Sequence, residues 1–65
     1  MSQRNWKKVQ EFADLSLKQH AEVIDRINSD GSLTMFQKET LALLDQQTRH
    51  LGIIAYTLSL RELDE

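Results

Sequence analysis

The sequence predicts an all-α protein, an antiparallel two-helix hairpin, and three observations predict it. Apolar residues recur at alternating three- and four-residue steps along two long segments, the spacing that keeps side chains on one helical stripe. There is no proline, and the two glycines are Gly31 and Gly52, so almost nothing intrinsic breaks a helix. Between the periodic segments lie Asn28, Ser29, Asp30, Gly31 and Ser32, turn-forming residues in succession. The expected organisation is one 65-residue domain: a helix over about 3–28, a turn over 29–33 and a helix over about 34–62.

The first helix is expected to start at a cap on Ser2 or Asn5. Its apolar positions are Trp6, Val9, Phe12, Ala13, Leu17, Ala21, Ile24 and Ile27, with Leu15 and Val23 widening the stripe. The far side carries Glu11, Asp14, Lys18, Glu22, Asp25 and Arg26. Asp14 with Lys18 and Glu22 with Arg26 have the favourable four-residue separation of a solvated helix face.

In the turn, Gly31 can take positive φ without steric cost, and Asn28 suits a carboxyl-terminal cap. Thr34 followed three residues later by Gln37 reads as a capping box that starts the second helix, with Ser32 the rival cap. A connection this short makes the helices antiparallel. Folding back about Asp30 sets Leu17 near Leu44, Ala13 near Thr48, Val9 near Leu51 or Gly52, and Trp6 near Ala55 or Tyr56. Gly52 there leaves room for close approach.

The second helix carries one stripe formed by Leu41, Leu44, Thr48, Leu51, Ala55 and Leu58. Beside it lie Leu43, Ile53, Ile54, Tyr56 and Leu60, so residues 51–60 are apolar around most of the circumference. A helix covered by a single neighbour does not need that much apolar surface. The hairpin seam is expected to set Trp6, Val9, Ala13, Leu17, Ile24 and Ile27 against Leu41, Leu44, Leu51, Ala55 and Leu58. The remainder implies a second copy of the chain, paired into a homodimeric four-helix bundle. The expected dimer or partner interface is Trp6, Phe12, Leu43, Leu51, Ile53, Ile54, Tyr56, Leu58 and Leu60. Residues 46–50 interrupt the apolar run. Thr48 is the expected buried member there, with Gln47 beside it, and Gln46, Arg49 and His50 point outward.

The remaining composition excludes several classes. Without cysteine there can be no disulfide, which suits a reducing compartment. The segment 51–60 is half the length that spans a bilayer, and the first residues lack the apolar core of a signal peptide, so the cytoplasm is the expected location. Residues 28–34 look like the middle of a calcium-binding EF-hand loop. Aligning Gly31 as its sixth residue places Arg26 at the first ligand position and Gln37 at the twelfth, where carboxylates belong. His20 and His50 are far apart, and neither has a carboxylate or histidine four residues away. No nucleophile stands beside a base, and no glycine-rich phosphate loop is present. The chain is therefore expected to be no enzyme and to need no metal or cofactor.

Nucleic acid is the alternative partner. Arg4, Lys7 and Lys8 flank Trp6, with Lys18 further along, and such a cluster can meet phosphate and stack on a base. Against this, the antiparallel fold is expected to bring the acidic residues Glu62, Asp64 and Glu65 to the same end. The formal net charge is −2, with five basic and four acidic groups over 1–28 and three and six over 29–65. The leading expectation is a small, non-enzymatic interaction or regulatory protein that docks through helical faces.

Overall fold

The structure, a computed structural model, describes residues 3–64, with side chains through Glu62. Two helices, α1 (Gln3–Ser29) and α2 (Met35–Asp64), pack against each other in antiparallel sense, and the described residues contain no strand. At 1.5 Å per residue the 27- and 30-residue helices are about 40 and 45 Å long, and the rod measures 49 × 15 × 9 Å. The cap expected at Ser2 lies outside the described residues. Asn5 lies inside α1, past its first residue, and its Nδ2 donates across the seam to the Leu60 carbonyl at 3.3 Å.

The corner is built from local hydrogen bonds. Asp30 N–H donates to the Ile27 carbonyl at 3.2 Å, and Leu33 N–H to the Asp30 carbonyl at 3.4 Å. The Asp30 carboxylate accepts from Ser32 N–H at 2.9 Å and Ser32 Oγ at 2.6 Å, a side-chain mimic of a backbone turn. These bonds, the hydroxyl's foremost, hold the Asp30 carboxyl below its ordinary range. Thr34 and Gln37 form the capping box reciprocally. Thr34 N–H donates to Gln37 Oε1 at 2.9 Å, and Gln37 N–H to Thr34 Oγ1 at 3.1 Å. Lys38 Nζ then reaches back to the Asn28 carbonyl at 3.2 Å, tying the first turn of α2 to the last turn of α1. No described residue has positive φ. Gly31 does not use its conformational freedom, and Asn28 stays helical rather than capping in the left-handed region.

Two expectations about packing are corrected. Thr34 fixes the start of α2 at Met35, so the fold-back centres near Ser32 rather than Asp30. The register moves by about one helical turn: Asn5 meets Leu60, Phe12 meets Tyr56, Gln19 meets Arg49 and His20 meets Asp45. The seam of α2 is also rotated. Leu41, Leu44, Thr48, Leu51, Ala55 and Leu58, expected to face α1, are all exposed, as are Trp6 and Leu17. A second repeat, Lys38, Ala42, Asp45, Arg49, Gly52 and Tyr56, runs one residue out of phase with the leucine stripe and turns inward, with Leu60 beyond it. Facing it from α1 are Asn5, Val9, Phe12, Ser16, His20, Val23 and Ile27. Periodicity locates a stripe but not its azimuth. Here the stripe whose polar members satisfy one another faces inward, and the leucines face out.

The core is thin. Val9 and Leu60 are buried near the open end, with Ser16 at mid-seam. Phe12 and Tyr56 stack with ring centroids 4.6 Å apart and planes tilted by 33°, an arrangement that adds about 0.5–1.5 kcal/mol beyond the area covered. Gly52 does not relieve a close approach: a Cβ built there meets nothing within 4 Å.

Candidate interaction surface

Two features stand out against this scaffold: a polar layer inside the seam and an apolar stripe outside it. In the layer, His20 Nδ1–H donates to Asp45 Oδ2 at 2.5 Å, and Arg49 Nε–H donates to the same oxygen at 2.7 Å. An ionised carboxylate only accepts, so His20 carries its proton on Nδ1. Arg49 Nη1 completes the chain by donating to Gln19 Oε1 at 2.9 Å. The Arg49 bond first and the His20 bond second hold the Asp45 carboxyl below its ordinary range. The expected polar layer therefore exists with different members. Arg49 turns inward instead of outward, Thr48 and Gln47 are exposed rather than buried, and Gln46 and His50 are exposed. Asp45, which sequence reasoning passed over, is its hub. The signal available was the four-residue step from Asp45 to Arg49 within a repeat matching that of α1.

The outer side of α2 is apolar and uncovered. Leu41, Leu44, Leu51 and Leu58 are 42, 54, 65 and 51% exposed, with Leu43 and Ile54 on the adjoining side. Between Glu39 and Arg61 the charged residues are Asp45 and Arg49 alone, and both are turned into the seam toward α1. The whole outward surface of that segment thus carries no formal charge.

The expected interface residues divide into three groups. Leu51, Leu58, Leu43 and Ile54 lie on the uncovered side of α2, and Trp6 is exposed on α1. Phe12 and Tyr56 cover each other within the hairpin, and Leu60 is buried in it. Ile53 is half-buried and borders an open inter-helix groove of 420 Å³. His20, Arg49 and His50 border the same groove, so the two histidines share a groove that their sequence separation did not suggest. Among the described residues no group of three histidines, cysteines or carboxylates is placed to hold a metal ion.

The alternative phosphate contacts, Arg4, Lys7, Lys8 and Lys18, are exposed on α1, and none joins an ion pair among the described residues. Glu62 is exposed. The Asp64 side chain and Glu65, expected to neutralise the cluster, lie outside the described residues. Among the described residues no helix is long and apolar enough to cross a membrane.

These features define a class: a two-helix hairpin with a hydrogen-bonded polar layer in its seam and an uncharged leucine stripe on its outer side. A scan of family models and searches of curated proteins and of solved structures each found no match.

Proposed function

We propose that this chain is a small non-enzymatic interaction protein that works as a homodimeric helical bundle, acting as a regulator or adaptor in the cytoplasm. The observation that carries the reading is the uncovered, uncharged leucine stripe of α2. Its four leucines leave the equivalent of about two whole side chains in water per copy. Covering them is worth about 3–6 kcal/mol per copy at 1.5–3 kcal/mol per large side chain. Total stability for a small domain starts near 5 kcal/mol, so a partner for this face changes the fate of the fold.

Catalysis has no support in this arrangement. The hub carboxylate is engaged by Arg49 and His20, and the grooves are open clefts between two helices rather than water-excluding pockets. Dilution calorimetry tests the reading. Separating the copies exposes apolar surface, so dilution should give a dissociation heat with a positive heat-capacity change. Featureless dilution heats over the micromolar to millimolar range would overturn it.

The second reading, a dimer binding RNA or DNA, is favoured by Arg4, Lys7, Lys8 and Lys18, exposed and in no ion pair among the described residues. Its weakness is the acidic balance of the chain. Heparin chromatography separates the two. Elution at or below physiological salt is expected, and retention well above it would favour nucleic acid.

A further inference from the structure

We infer that the occupant of the leucine stripe is the same stripe of a second copy, with the two α2 helices antiparallel and the two-fold axis midway between Thr48 and Leu51. The inference rests on the homodimeric reading and adds its face, direction and register. The stripe reads Leu41, Leu44, Thr48, Leu51, Ala55, Leu58. Turned end for end on itself, it sets Leu41 of one copy against Leu58 of the other, Leu44 against Ala55, and Thr48 against Leu51. Each of the four central layers then holds one leucine and one smaller residue, and the outermost layers hold leucine pairs. Such layers fill space evenly. Parallel pairing in register would instead stack leucine on leucine in four layers and leave thin ones at Thr48 and Ala55.

The ends agree with this register. The next positions of the repeat, Gln37 and Glu62, fall opposite each other and close the stripe with polar residues. Charge selects the same occupant. The stripe and its outward neighbours carry none, because Asp45 and Arg49 are held in the seam by each other and by His20. A nucleic acid or a charged helix would find nothing to pair with, whereas an identical uncharged stripe loses nothing. Interfacial membrane helices are rich in Lys and Arg along the polar side. Here α1, with its own acidic residues, occupies that side.

The chain has no cysteine, so single substitutions report the geometry. T48C and L51C chains are prepared separately, mixed in equal amounts, allowed to exchange and oxidised under mild conditions. The mixed disulfide should exceed either self-disulfide by about tenfold, because that pairing alone brings the Cβ atoms near the roughly 3.8 Å a disulfide requires. L44C mixed with A55C should behave alike, and it replaces the first pair should either chain there fail to fold.

Self-disulfides dominating in both pairs would overturn the antiparallel register in favour of a parallel one. Absent cross-links at dimeric mass would move the interface to another face and leave the homodimeric reading standing. A monomeric mass for the unsubstituted protein would remove both. Pelleting of that monomer with vesicles of phosphatidylcholine and phosphatidylserine would assign the stripe to a lipid surface and overturn the inference.

Discussion

Replacing Leu51 with alanine separates the outer face of α2 from the hairpin that carries it. Leu51 is 65% exposed in the single hairpin. Covering it removes about two thirds of a leucine side chain from water, or about 1–2 kcal/mol per copy. A two-fold interface counts the change twice, about 2–4 kcal/mol per dimer. At 1.4 kcal/mol per factor of ten, L51A should weaken dimerisation roughly 30- to 700-fold. Alanine is at least as good a helix former as leucine, so the hairpin itself is not weakened. The contrast is Leu60→Ala. Leu60 is 7% exposed within the hairpin, and emptying such a site costs about 2–5 kcal/mol of folding stability whatever the protein concentration. Sedimentation equilibrium gives the dissociation constants, and thermal melts at two concentrations give the stabilities. An L51A dissociation constant equal to that of the wild type would refute the reasoning, since it would place Leu51 in solvent in every state.

Further expectations follow from individual contacts. Gly52→Ala should raise stability by about 1 kcal/mol, since the added Cβ meets nothing within 4 Å and alanine is the better helix former; a lower melting temperature would contradict the seam geometry. Thr34→Ala removes one half of the capping box and should cost about 0.5–2 kcal/mol in a denaturant titration. The Asp45 carboxyl is held below its ordinary value of 3.8 by Arg49 and then His20. Its contribution to stability is therefore full above that value and is lost as pH falls through the lower folded value. Asp45→Asn should destabilise the protein at neutral pH, and the difference from wild type should vanish in acid. A difference independent of pH would show that ionisation of Asp45 is not what the layer uses.

The fold class and the corner were legible because their causes are local. Thr34 and Gln37 bond to each other within one turn, and no proline or mid-helix turn cluster competes with either helix. The azimuth of α2 was not legible. Its leucine stripe and the stripe through Asp45 and Arg49 have the same repeat one residue apart, and residue hydrophobicity favours the wrong one for the seam. What decides is tertiary: His20 and Gln19 on α1 satisfy Asp45 and Arg49, and no local rule connects residues 25 and 30 apart. The register slipped for a related reason. Folding about Asp30 treats the five turn residues as the centre of the corner, whereas α1 continues through Ser29 and the chain turns two residues later. Phe12 and Tyr56, assigned to a partner from sequence, find each other as a consequence of that shift.

The central claim is that the outer face of α2 is covered by a second chain. Static light scattering on the unsubstituted protein, across a dilution series from millimolar to low micromolar, addresses it most directly. The account predicts twice the 7.6 kDa chain mass at the concentrated end, falling toward one chain on dilution. A single-chain mass throughout, with a cooperative melt at the highest concentration, would contradict it.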